Sequence, residues 1–273
     1  MSEVELRRHR MYYELHGEQG PPVLLVMGFG MSGVAWGPQV DDLQRDHRVA
    51  WYDNRGIGRS TAGTGGAEDH TLPGLALDVV ALLDHLGWES AHVVGVSMGG
   101  MIAQHLALDH RARVRSLTLI ATHPGGLRHL PGLTGVRLFL KANLSRGVAR
   151  LDALADLLYP PEHRARLRHE GWNPERLKTI AMHTDPRVRL THLRSIFRHD
   201  VRDRLPELAG LPVLVVRPDR DVLVPPRGSD ALAARIPGVR LAALADGGHG
   251  ATSQEAGEVN RLVREHVQIA ERR

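Results

Sequence analysis

His92-Val93-Val94-Gly95-Val96-Ser97-Met98-Gly99-Gly100 decides how the rest of this 273-residue chain is read. Its first five residues are rich in β-branched side chains without polar alternation, the pattern of a strand buried on both faces. The residues that follow, from Met101 to Leu108, carry apolar side chains at helical intervals. A strand that turns abruptly into a helix puts the turn residue in a strained backbone conformation. Flanking glycines let neighbouring backbone come close without Cβ clashes. The turn residue is Ser97, within Gly95-Val96-Ser97-Met98-Gly99, the G-x-S-x-G pattern of a nucleophile elbow. Its hydroxyl would stand above the end of a sheet, and the N–H groups opening the next helix would face any negative charge developing there.

Outward from the elbow, further β-rich runs occur at Tyr12–Leu15, Val23–Met27, Arg48–Tyr52, Ser116–Ile120, Val213–Arg217 and Val239–Leu244. Segments with helical spacing lie between them: Trp36–Arg45, Leu72–Leu86, Met98–Asp109, Gly228–Arg235 and Ser253–Ala270. In the second of these, Leu75, Val79, Leu82, Leu83 and Leu86 recur on one face, and Thr71 is placed to cap the helix before Leu72 and Pro73. Alternating strands and helices predict an α/β fold, a doubly wound and mostly parallel sheet with right-handed crossovers.

The rhythm breaks between Pro124 and Pro206, where leucine, arginine and histidine fall at helical spacings interrupted by Gly147, Pro160, Pro161, Gly171, Pro174 and Pro186. About eighty residues of helix is too much for a loop and too little for an ordinary independent domain. The division expected is a core of residues 1–123 and 206–273 with a helical cap insertion, 124–205, over the C-terminal edge of the sheet.

Composition narrows the chemistry. Hydrophobic residues make up 42% and charged residues 24%, the balance of a globular protein. The absence of cysteine excludes disulfides, Cys-ligated metals and a thiol nucleophile. The first residues, MSEVELRRHR, lack the apolar core of a secretory signal, and the longest apolar stretch, Pro22 to Met31, is too short to span a bilayer. A cytoplasmic protein without membrane association is expected. The net charge is +4, but the arginines are scattered, and Arg111, Arg113 and Arg115 sit between a helix and a strand where a solvated turn looks the same. No nucleic-acid partner is expected, although a basic cap would favour anionic substrates.

A serine hydroxyl is too weakly acidic to attack unaided and needs a histidine base with an acid to orient it. There are 17 histidines, so composition cannot choose among them. The stretches MYYELHGEQGPPVLLVMGFG, YDNRGIGRS, GVSMGG, DRDVLVPP and GGHG together give the chain a resemblance over nearly its whole length to the α/β-hydrolase superfamily. The similar branch is that of cofactor-free, serine-nucleophile esterases, lactonases and haloperoxidase-like hydrolases. The resemblance implies an eight-stranded sheet flanked by helices and a triad in the chain order Ser, Asp or Glu, His. His249, in the loop Asp246-Gly247-Gly248-His249-Gly250, takes the base position. Asp221 takes the acid position, because Asp221 to Pro225 has the family's Asp-x-x-Val-Pro spacing; Asp219 and Asp246 are the competing carboxylates. The backbone N–H groups of Phe29 and Met98 are the implied oxyanion donors. Met27-Gly28 stands where the family usually has His-Gly, which puts the hold on that loop in question.

Asp53-Asn54-Arg55-Gly56-Ile57-Gly58-Arg59-Ser60 lacks a phosphate-loop pattern and is assigned a structural role. His123, Trp36, Met101 and Phe139 are candidate pocket residues with equally ordinary packing roles. The activity implied is hydrolysis of a small-molecule carboxylic ester or lactone of apolar character, with no cofactor and no metal. Thioesterase, carbon–carbon hydrolase and perhydrolase chemistry use the same triad, and a slow-turnover ligand receptor is the alternative outside enzymes. Oligomeric state is left open.

Overall fold

The structure is a computed structural model that describes residues 2–171, 173–181 and 184–273, without the side chains of Leu127, Pro174 and Arg176. Its strands are β1 (Ser2–Leu6), β2 (His9–His16), β3 (Pro22–Val26), β4 (Arg48–Tyr52), β5 (Ala91–Val96), β6 (Val114–Ile120), β7 (Val213–Pro218) and β8 (Arg240–Leu244). The α-helices are α1 (Gly37–Leu43), α2 (Leu72–His85), α3 (Met98–Asp109), α4 (Leu133–Leu144), α5 (Gly147–Leu158), α6 (Pro161–His169), α7 (Pro186–Arg198), α8 (Arg227–Ala233), α9 (Ala251–Gln254) and α10 (Ala256–Glu271). The strands form one sheet in the order β1-β2-β4-β3-β5-β6-β7-β8. From β4 through β8 every neighbouring pair is parallel; β1 and β2 are joined antiparallel at one edge.

Strands β3 and β5 are buried along their whole length, as their unbroken apolar runs require. Successive side chains go to opposite faces. Leu24 and Val26 pack with Leu75, Val79, Leu82 and Leu83 of α2 and Ile102 and Leu106 of α3. Val23 and Leu25 pack on the other side with Val40 and Leu43 of α1 and with Val259, Leu262 and Val263 of α10. Each such aliphatic side chain contributes about 2 kcal/mol of transfer free energy. Helix α2 starts where its sequence predicts, since Thr71 Oγ1 accepts the Gly74 N–H at 3.2 Å.

Two elements differ from the sequence expectation. Strand β1 is an amphipathic edge strand in which Val4 and Leu6 alternate with Glu3 and Glu5, and it pairs with β2 alone. Its hairpin turn places Arg7 and Arg8 at φ 41° and 69°, so no glycine or asparagine marks the reversal. The helical run expected over Ser253–Ala270 is split at Glu255, whose φ of −124° separates α9 from α10.

Helices α4 to α7 form an insertion between β6 and β7. It is tied to the core by backbone bonds from Ser32 N–H to Ile180 O and from Gly250 N–H to Leu158 O, both 2.8 Å. Ser195 Oγ of α7 accepts the Leu72 N–H at 2.8 Å. The basic triplet near β6 is committed locally: Arg113 donates to the carbonyls of Glu89 and Trp88, Arg111 to that of Val114, and Arg115 to Ser90 and Glu271. Among the described residues no helix is long and apolar enough to cross a membrane.

Candidate active site

The chain reverses its direction of travel across the sheet between β3 and β5, because β3 leads to β4 on one side and β5 to β6 on the other. Such a switch point opens a crevice at the C-terminal strand ends. Val26 pairs with Gly95 there, so the loop Met27-Gly28-Phe29 and the turn at Ser97 emerge side by side. A Cβ on Gly28 would lie 3.2 Å from Ser97 Cβ, a tight contact that glycine relieves.

Ser97 sits between β5 and α3 with φ 55° and ψ −121°, a conformation costing about 1–3 kcal/mol in a non-glycine residue. Its N–H donates to the Ile120 carbonyl at 2.9 Å, and its own carbonyl accepts from Gly100 N–H at 2.9 Å and Thr122 Oγ1 at 2.8 Å. A Cβ on Gly99 would stand 2.1 Å from the Val26 carbonyl oxygen, and one on Gly95 2.5 Å from that of Gly99. The glycines of the pattern therefore permit the sharp turn by allowing backbone to pack on backbone. Met98 opens α3, so its N–H lies in the first turn, where donors have no acceptor within the helix.

The three aspartates near the histidine loop are separated by their surroundings. Asp221 is buried, and its Oδ1 accepts the N–H groups of Leu223 and Val224, both at 2.8 Å. That leaves Oδ2 to accept from His249 Nδ1 at 2.7 Å. Asp219 instead pairs with Arg217 at 2.7 Å, and Asp246 is 86% exposed beside Arg220. Gln254 braces the turn before His249: its Oε1 accepts Gly248 N–H at 2.9 Å and its Nε2 donates to the Asp246 carbonyl at 2.6 Å. On the far side of the loop, the end of α5 holds Gly250 through the Leu158 carbonyl.

The loop carrying Phe29 is held without the family's histidine. Asn54 Nδ2 donates to the Met27 carbonyl at 2.9 Å, while Asp53 Oδ1 accepts from Ser32 Oγ at 2.7 Å and Gly33 N–H at 2.8 Å. Asp53 Oδ2 also accepts Arg59 N–H at 2.9 Å, and fully buried Arg55 makes a two-pronged pair with Asp78 at 2.9 and 2.6 Å. The Asp53–Ser60 loop thus has the structural role expected of it.

Ser97, His249 and Phe29 line one cavity of about 380 Å³ between the strand ends and the insertion. Leu154, Leu157 and Leu158 of α5 and Phe139 of α4 roof it, and Phe139 lies against Phe29 with ring centroids 6.3 Å apart. Leu138 packs inside the insertion, in a cluster that includes Val222 and Leu223 of the acid loop. Tyr159 closes one side; its hydroxyl bonds to Ser253, and burial raises its pKa. Of the other pocket candidates, Trp36 and Met101 belong to the packed core. His123 is buried elsewhere, with Nδ1 accepting Gly125 N–H at 3.0 Å and burial pushing its pKa down to about 4. Arg150 and Arg189 also line the cavity, and no periodicity or motif singles them out. Among the described residues no three His, Asp or Glu side chains gather as a metal-ligand set.

A family model described as alpha/beta hydrolase fold matches residues 21–256. A protein of Caulobacter sp. (strain K31) named "Putative carbamate hydrolase RutD" is 35% identical over 251 residues, covering 89% of this chain and 90% of the relative. Among solved structures, the enol-lactonase from Burkholderia xenovorans LB400 aligns with a TM-score of 0.83 at 26% identity, covering 98% of this chain and all of that one. A bromoperoxidase from Bacillus anthracis aligns with a TM-score of 0.79 at 26% identity, over 95% and 96% of the two chains.

Proposed function

The chain belongs to the alpha/beta hydrolase fold family, and from that premise we propose that it is a serine hydrolase cleaving a carboxylic ester or lactone of a mainly apolar small molecule. The observation that carries the reading is the buried Asp221–His249 pair, 2.7 Å, set beside an elbow serine on one cavity. In this reading His249 takes the Ser97 proton as the serine attacks the acyl carbon. The Phe29 and Met98 N–H groups receive the oxyanion, and His249 then protonates the leaving alkoxide. Water, deprotonated by the same imidazole, releases the acid from the acyl-enzyme. Asp221 keeps Nδ1 protonated, so Nε2 is the basic nitrogen throughout.

The mostly apolar lining and the volume suit a small organic ester or lactone, and the enol-lactonase likeness supports that choice. The insertion, residues 124–205 in our division, serves as a cap that selects substrate. The RutD relative favours one second reading, a carbamate, whose carbonyl passes through the same addition and elimination. A panel of p-nitrophenyl esters, lactones and carbamates, run on wild type and Ser97→Ala, decides between them. The expected result is ester or lactone turnover and fluorophosphonate labelling that both vanish in the variant. Activity that survives Ser97→Ala would contradict the reading.

A further inference from the structure

We propose that the substrate carries an oxyanion at the end remote from the bond cleaved, held by Arg150 and Arg189. The inference rests on Ser97 and His249 marking the reacting end of the cavity. Among the described residues the cavity lining contains no aspartate or glutamate, and apart from the His249 imidazole and the Tyr159 phenol its ionisable side chains are those two arginines. Both are half-buried, and neither guanidinium makes a hydrogen bond, ion pair or ring contact with a described residue. Arg164, almost fully buried in the same insertion, is by contrast paired with both Asp152 and Asp156. A guanidinium stays charged at any working pH, and holding it partly out of water without a counter-charge costs free energy that a bound oxyanion recovers through paired N–H bonds.

Helix α5 sets the spacing. Its C-terminal residue Leu158 holds Gly250, next to His249, whereas Arg150 lies in its first turn, eight residues or about 12 Å of helix axis away. Leu154 and Leu157 line the cavity between those ends, and Asn143 in the last turn of α4 and Ser145 just after it add polar atoms. Arg189 reaches the same cavity from α7. The ligand that fits this sequence of surfaces has a reactive acyl group, an apolar body and an anionic head. A half-ester or lactone bearing a distal carboxylate has that form, as does its phosphonate counterpart.

The test compares the mono-p-nitrophenyl ester of octanedioic acid with its neutral ω-methyl ester and its ω-phosphonate analogue. Wild type should favour the anionic esters in kcat/KM by about tenfold to a hundredfold, the worth of a charge-assisted hydrogen bond. Arg150→Met and Arg189→Met should each erode that ratio, and together abolish it, with the loss of kcat/KM concentrated on the anionic esters. The carboxylate and phosphonate arms identify which head group is preferred. Calorimetry on Ser97→Ala with octanedioic acid monoamide and with octanamide reads the same preference without turnover. Arg-dependent binding of the acid in a protein that hydrolyses no ester would sink the serine-hydrolase reading and leave the anion site standing. Equal handling of charged and neutral ligands, or a preference that survives both arginine substitutions, overturns the inference.

Discussion

The elbow and the helical insertion line opposite sides of one cavity, yet they are built on different principles. Around Ser97 the geometry is set by backbone: Gly95 and Gly99 admit contacts that no Cβ would, and Thr122 and Ile120 fasten the turn from the β6 side. In the insertion, side chains set it. Helices α4 and α5 share a small apolar cluster around Ala142, Ala153 and Leu157, while Leu133, Leu144 and Val148 remain exposed. A site made from backbone tolerates little variation and suits a fixed chemical step; a roof made from helix faces can change its lining while the fold persists.

The largest effect expected on the elbow side is that of Asp221→Asn, which leaves His249 in the wrong tautomer and should lower kcat by about 10⁴-fold. Asp219→Asn and Asp246→Asn should stay within about threefold of wild type, since neither carboxylate reaches His249 and exposed substitutions usually cost little. Steady-state kinetics on the three variants makes the comparison, and equal losses would break it. On the roof side, Leu154→Ala should reorder kcat/KM among acyl chains of different length by about tenfold, because discrimination follows differential transition-state binding. A profile running parallel to wild type for every folded roof variant would show that the insertion does not select.

Gly99→Ala tests the backbone principle itself. The added methyl meets the Val26 carbonyl oxygen at 2.1 Å, and overpacking of this kind costs about 1–3 kcal/mol, readable as a lowered denaturation midpoint. The smallest effect concerns the seam between the two regions, where the His199 ring after α7 lies edge-on to His105 of α3 and tilted against His123 after β6. Burial depresses the pKa of His199 to about 3 and of His123 to about 4, and His192 of α7 to about 3. Between those values and the ordinary 6.5 these imidazoles are neutral when folded and protonated when unfolded. The unfolded chain then binds more protons, so stability falls as pH drops through 6.5 toward 4. Thermal melts across that window should show the decline, and His199→Gln should flatten it.

The same contrast governs what the sequence discloses. Long-range order in the core is legible because parallel strands need unbroken apolar runs, the elbow needs its glycines, and a helix start such as Thr71 needs a capping oxygen. Asp221 stands out from Asp219 and Asp246 for a local reason: the turn through Val224 draws its Oδ1 onto two backbone N–H groups and directs Oδ2 to His249. What stays hidden depends on contacts between distant segments. Strand β1 needs β2 beside it to be a strand at all, and Gln254 becomes a brace for the His249 loop because α9 ends at that point. Arg150 and Arg189 look like any surface arginines until α5 and α7 are folded over the sheet.

The central claim is that Ser97 carries the acyl group during turnover. Rapid-quench mass spectrometry during the burst of p-nitrophenyl ester hydrolysis tests it directly. The predicted result is a mass increase equal to the acyl group on the peptide containing Ser97, formed at the rate of the burst and absent from Ser97→Ala. Ester turnover with no adduct on that peptide, or an adduct on another residue, would contradict it.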